Sequence, residues 1–111
     1  MKKGNNNAEH RADLNLRELT AMLKGVADEN RIRLLRALAG EEKTVSQLVA
    51  EMGISQPLVS HHLKELRRSL LVEMERRGPF VYCRLADPGI TSLLEAWREL
   101  AAKLLSRRHP L

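Results

Sequence analysis

The 111-residue chain is 43 % hydrophobic and 30 % charged, the balance of one water-soluble domain built around a single core. No apolar run nears the ~20 residues of a membrane span, the start MKKGNNNAEH has no apolar segment to act as a signal peptide, and one cysteine excludes an intrachain disulfide, so the reducing cytoplasm is the expected compartment. The net charge of +5 suits a polyanionic partner but is spread along the chain, so its placement says more than its total.

Aromatic residues make up only 3 %, so Leu, Val, Ile, Met and Ala must fill the core, which favours helices. Residues 1–12, with Asn5, Asn6 and Asn7 in a row, hold too little apolar surface to pack and are expected to form a flexible tail before a domain over 13–108. From about Asp13 to Val26, the positions of Leu16, Leu19, Met22, Leu23 and Val26 predict a helix with one apolar stripe. Asp28 suits the N-cap of a second helix, in which Ile32, Leu35 and Leu38 form a face and which Gly40 ends. Arg31, Arg33 and Arg36 are spread around that helix and read as solvated charges.

The next stretch, TVSQLVAEMGISQPLVSHHLKELR (Thr44–Arg67), reads as two short helices joined by a tight turn. Val45, Leu48, Val49 and Met52 form one apolar face, Thr44 with Gln47 makes a capping-box pattern, and Gly53 supplies the stop. Ser55 can cap the second helix, Pro57 suits its first turn, and Ile54 can staple onto Val59. Val59, Leu63, Leu66 and Leu70 continue the buried stripe. The outward face carries Gln56, Pro57, Ser60, His61 and Lys64. Gln bonds an adenine edge bidentately, Ser and His bond base edges or phosphates, and Lys neutralises phosphate. A polar helix face is often no more than solvated, but the helix-turn-helix spacing and the cap signals favour DNA here.

After this helix the period becomes alternating. LVEMERRGPFVYCRL predicts strands at about 71–76 and 80–85 around a tip at Arg77-Gly78-Pro79, a wing. Arg76 and Arg77 at that tip are placed to reach phosphates or a narrow minor groove, the plainer alternative being that they keep a hairpin edge soluble. Cys83 alternates with Val81 and Leu85, which predicts a buried, inert thiol. Asp87-Pro88-Gly89 breaks the chain before a last helix from about Ile90 to Ser106, which Arg107 and Arg108 terminate well. Its stripe, including Leu93, Trp97, Leu100 and Leu104, is wide for a terminal helix. It is expected to pair with the same helix, and with Leu19, Met22 and Leu23 of the first helix, in a second subunit.

ADENRIRLLRAL (Ala27–Leu38), ISQPLVSHHLKELRRSLLV (Ile54–Val72) and RRGPFVYCRLADP (Arg76–Pro88), in this order of elements, resemble the ArsR/SmtB family of bacterial winged-helix repressors. The resemblance implies a homodimer that binds an imperfect inverted repeat in double-stranded DNA and releases it when an inducer binds. It also implies, by position, that Ser55, Gln56, Ser60 and His61 contact base edges or phosphates. Pro57 stands where many members carry Ser or another small polar residue. His62 matches a position usually His or Gln, and reads either as a phosphate contact or as a half-buried packing residue.

The family's metal sites have no counterpart. Glu42–Gln47 contains no thiol where a CVC-like pattern would lie. Asp87 is present, but Gly89 replaces the next ligand, and the later positions fall near Leu100 and Lys103. His10 and His109 of opposite subunits offer a conceivable non-family site, although histidines near chain ends are more often solvated. The expectation is therefore a mainly α winged helix-turn-helix of about five helices and two strands, a homodimeric repressor without metal or cofactor. Its signal is left open among a small-molecule inducer, a redox signal and abundance alone. A winged helix that binds only protein partners is the alternative, and the polar groove-facing set argues against it. Catalysis is not expected, for want of paired carboxylates, a Ser/His/Asp set or a phosphate-cradling Gly loop.

Overall fold

The computed structural model describes residues 15–108. The first four helices each begin where a short polar side chain can satisfy the free N–H groups of a first turn. Asn15 Oδ1 accepts from Arg17 N at 2.8 Å and starts α1 (Leu16–Val26). Asp28 Oδ1 accepts from Arg31 N at 3.1 Å and starts α2 (Glu29–Ala37). A two-residue strand β1 (Lys43–Thr44) leads into α3 (Val45–Met52) through a complete capping box: Thr44 Oγ1 accepts from Gln47 N at 3.1 Å, and Gln47 Oε1 accepts from Thr44 N at 2.7 Å. Gly53, at φ 68°, ends α3 in the left-handed region. Ser55 Oγ then accepts from Leu58 N at 3.3 Å at the start of α4 (Gln56–Arg68).

A hairpin follows, β2 (Val72–Arg77) and β3 (Phe80–Leu85), and the chain closes with α5 (Gly89–Ser106). Arg77 pairs with Phe80, leaving Gly78-Pro79 as the turn. Gly78 has φ 61°, and a positive φ followed by the fixed φ of proline suits a hairpin whose twist matches its strands. The sheet is three-stranded and antiparallel in the order β1-β3-β2, one strand more than the sequence predicts. The extra strand pairs Lys43 with Cys83 and Thr44 with Tyr82. Two residues carry no periodicity, so β1 is recruited by the free edge of β3 rather than by its own pattern.

The core is aliphatic. Leu34, Leu35 and Leu38 of α2, Leu48 and Met52 of α3, and Val59, Leu63 and Leu66 of α4 meet Val72 and Cys83 of the hairpin. Full burial of each leucine contributes about 1.5–3 kcal/mol. On α1, Gly25 passes so close to Ser69, at the end of α4, that an added Cβ would lie 2.0 Å from its Oγ. Only glycine allows this crossing.

Leu70 does not continue the buried stripe. Helix α4 ends at Arg68, and Leu70 stands at φ 67° with 72 % of its surface exposed. Leu71 N donates to Leu66 O and Leu70 N to Arg67 O, both at 3.0 Å, which is the Schellman pattern. That pattern needs a left-handed residue where the chain turns into β2, and here a leucine fills the place usually held by glycine.

Candidate nucleic-acid interface

On α4 the 3.6-residue period separates two faces cleanly. Val59, Leu63 and Leu66 are fully buried, whereas Gln56, Pro57, Ser60, His61 and Lys64 are exposed. Ser55 is exposed as well, its oxygen already accepting the cap hydrogen bond while its O–H remains a donor. Between this face and the hairpin lies an open cleft of about 470 Å³, lined among others by Thr44, Ser46, Gln56, Ser60, Arg76 and Phe80. Helix α4, the start of α3 and the inner face of the wing thus converge on one concave surface of mixed polar and apolar character, with a cation at its edge.

The two wing arginines part company. Strand alternation puts Arg76 on the face of Val72 and Met74, towards the cleft, and Arg77 on the face of Glu73 and Glu75. Arg77 Nη1 lies 2.7 Å from Glu42 Oε1 and its Nη2 lies 2.9 Å from Glu75 Oε1, while the guanidinium stacks 4.4 Å above the Tyr82 ring. Arg84 extends the ladder to Glu73 at 3.0 Å and Glu75 at 3.3 Å. Hydrogen bonding to Arg77 holds the Glu42 and Glu75 carboxyls below the ordinary carboxylate range. Arg77, expected at the tip to reach DNA, is paired with Glu42 and Glu75, and Arg76 is the wing arginine that faces the cleft.

His62 lies among the packing residues of α4, one of the two readings the sequence left open for it. It is 6 % exposed, because its place on α4 is the buried side, and its Nδ1 takes a hydrogen bond from Arg31 Nε at 3.1 Å. Arg31 is accordingly no solvated charge, since its Nη1 also donates to Gly25 O at 3.3 Å. Arg33 Nη2 donates to Met52 O at 3.1 Å, at the C-terminal end of α3 where a cation is favoured. Nothing in the order of residues marks these bonds, which span 31 and 19 positions.

Cys83 is fully buried, and burial pushes its thiol up to about 11. Asp87 Oδ1 accepts from Gly89 N at 2.7 Å and so shapes the entry to α5. Among the described residues no group of three or more His, Cys, Asp and Glu is placed to hold a metal ion, and no helix is long and apolar enough to cross a membrane. His10 and His109 lie outside the described residues.

Helix α5 touches the core through Ile90 and Leu94 and leaves Leu93, Trp97, Leu100 and Leu104 between 43 and 57 % exposed. On α1, Leu19 and Leu23 are open at 39 and 48 %, whereas Met22 packs against the core instead of standing on the same open face.

Helix-turn-helix, sheet and exposed polar helix define a winged helix-turn-helix protein. Residues 28–73 match the family model described as bacterial regulatory protein, arsR family. A transcriptional repressor SmtB homolog from Synechocystis is 39 % identical over 87 residues, 78 % of this chain and 64 % of that relative, so the chain spans slightly less than two thirds of the relative's length. The crystal structure of Rv0081 from Mycobacterium tuberculosis superimposes with a TM-score of 0.73 at 32 % identity, over 82 % of this chain and 93 % of that one. The homodimeric winged helix-turn-helix DNA-binding domain of Mb0332 from Mycobacterium bovis gives a TM-score of 0.74 at 26 % identity, covering 86 % and 89 %. The chain belongs to the ArsR family of bacterial transcriptional regulators.

Proposed function

We propose that the chain is a homodimeric, DNA-binding transcriptional repressor of the cytoplasm that reads an imperfect inverted repeat with α4. The observation that carries this reading is the exposed set Gln56, Ser60, His61 and Lys64, one polar stripe beside a cleft edged by Arg76. Gln56 and His61 meet base edges in the major groove, Ser55, Ser60 and Lys64 hold phosphates, and Arg76 takes the phosphate or minor groove under the wing. Pro57 packs against the groove wall without a polar contact.

The open apolar faces of α1 and α5 support the dimer, as does the homodimeric Mb0332 domain. A two-fold pair places its recognition helices about 34 Å apart, one turn of DNA. An inducer acts by favouring a dimer in which that spacing is wrong. With no thiol in Glu42–Gln47 and with Gly89, Leu100 and Lys103 at the other ligand positions, we expect an inducer other than a metal at the family's usual sites.

The test is fluorescence-anisotropy binding to the gene's own upstream DNA in a salt series, with a scrambled duplex alongside. Tight, salt-dependent binding with a preference for the native sequence is expected. Equal, weak binding to both duplexes overturns sequence reading and favours a protein-docking module.

A further inference from the structure

Among the described residues His62 is the buried polar side chain, enclosed by a core that is otherwise aliphatic. Burying an imidazole is costly unless its nitrogens find partners. The partner here is specific: Arg31 Nε lies 3.1 Å from Nδ1, and the same guanidinium reaches Gly25 O at 3.3 Å. The Arg31 backbone N–H in turn donates to Asp28 Oδ1, which lies 3.9 Å from the imidazole nitrogen. Arginine has no acceptor atom and keeps its charge. The bond therefore has one polarity, with Nδ1 bare and the imidazole hydrogen on Nε2.

Three helices meet in this contact: the last turn of α1 through Gly25, the first turn of α2 through Asp28 and Arg31, and the middle of α4 through His62. The remaining packing of α4 is leucine and valine, and aliphatic contacts tolerate small rotations that a directional hydrogen bond does not. Successive helix positions differ by about 100°. Fixing His62 inward therefore fixes the aim of its neighbours Ser60 and His61 and, more than a turn earlier, of Gln56.

We propose that Arg31 and His62 are positioning residues for operator recognition: their hydrogen bond sets the rotation of α4 against α1 and α2, without either residue touching DNA. The proposal rests on the reading of α4 as the groove helix.

The test compares operator and scrambled duplex for His62→Leu and Arg31→Met, which remove the bond, and for His62→Asn, whose amide oxygen stands where Nδ1 does. The first two are expected to lose about tenfold in operator preference, roughly 1.4 kcal/mol, with scrambled binding unchanged to within about twofold. His62→Asn is expected to restore the preference, and the double variant to be no worse than either single one. Unchanged preference in His62→Leu and Arg31→Met overturns the proposal. So does an equal loss on both duplexes, which would mark a phosphate contact or a general loss of fold.

Should a variant fail to fold, the tautomer decides. Nitrogen-15 shifts of the wild-type imidazole are expected to show a bare Nδ1, and a hydrogen on Nδ1 rules the bond out. A wild type that shows this tautomer yet no operator preference overturns the groove reading instead.

Discussion

Gln56 and His61 are exposed on α4, Gln56 in its first turn, where a helix entering the major groove meets base edges. Replacing either by Ala is expected to weaken operator binding by about 1–3 kcal/mol and to relax base preference, with scrambled binding little changed. Arg76→Ala should lower affinity for both duplexes and reduce the salt slope by about one, as loss of a phosphate contact does. Anisotropy titrations across a salt series separate the two behaviours. Cys83 yields a different prediction. With its thiol pushed up to about 11 by burial, almost no thiolate exists at neutral pH. Labelling by a thiol reagent should be slow in the native protein and fast in denaturant, at a native rate that follows unfolding. Rapid native labelling would show the thiol to be accessible and reactive.

At the scale of elements, Arg77 links the wing to the rest of the domain. Its pairing with Glu42 ties the hairpin to the segment before β1, and both sides of the ladder are exposed, so salt should weaken it. The Glu42 and Glu75 carboxyls are depressed in the folded state by hydrogen bonds from Arg77. Such groups stabilise the fold above the ordinary carboxylate range of roughly 4 to 4.5, and the contribution is lost as pH falls through the lowered folded values. Glu42→Gln should speed amide exchange at the Arg77–Phe80 end of the hairpin at neutral pH and reduce its acid-induced chemical-shift changes. Core amides should not move. Leu70 is the second element-scale case, a leucine in the left-handed place of a Schellman motif with most of its surface open. A left-handed conformation costs an L-residue about 1–2 kcal/mol, partly offset by the greater unfolded entropy of glycine. Leu70→Gly is therefore expected to raise stability by about 0.5–1 kcal/mol in urea unfolding. A clear loss would mean that Leu70 makes a contact in the dimer.

For the whole molecule, the proposed dimer rests on the open apolar faces of α1 and α5. Leu93, Trp97, Leu100 and Leu104 recur at helical spacing along α5, all at least 43 % exposed in the single chain. Leu93→Asp combined with Leu100→Asp should convert a dimer into a monomer in sedimentation velocity. Trp97 is the sole tryptophan, so its emission reports on this face alone. It should lie further to the red in the double variant than in the wild type. Operator affinity should fall steeply while binding to a half-site duplex persists, since each recognition helix remains intact. A wild type that sediments as a monomer at micromolar concentration would end the dimer reading.

What the sequence determined by itself is what local interactions decide. The caps at Asp28, Thr44 and Ser55 and the stop at Gly53 act over four residues or fewer, and each stands where the residue order predicts it, while the turn is one residue shorter than expected because Arg77 pairs within β2. The polar stripe of α4 was legible for the same reason, because a 3.6-residue period follows from the order of residues alone. The tertiary structure decided what depends on partners distant in sequence. Lys43 and Thr44 become a strand only beside Cys83 and Tyr82, and Arg77 is matched only because Glu42, 35 positions away, stands beside the hairpin. Of the two readings open for His62, phosphate contact or packing residue, its position favours packing, and only the fold shows that Arg31 meets it from another helix. Leu70 left the helical stripe because the chain had to reverse into β2. A side chain's period places it on a face, but only the packed fold brings the group that faces it.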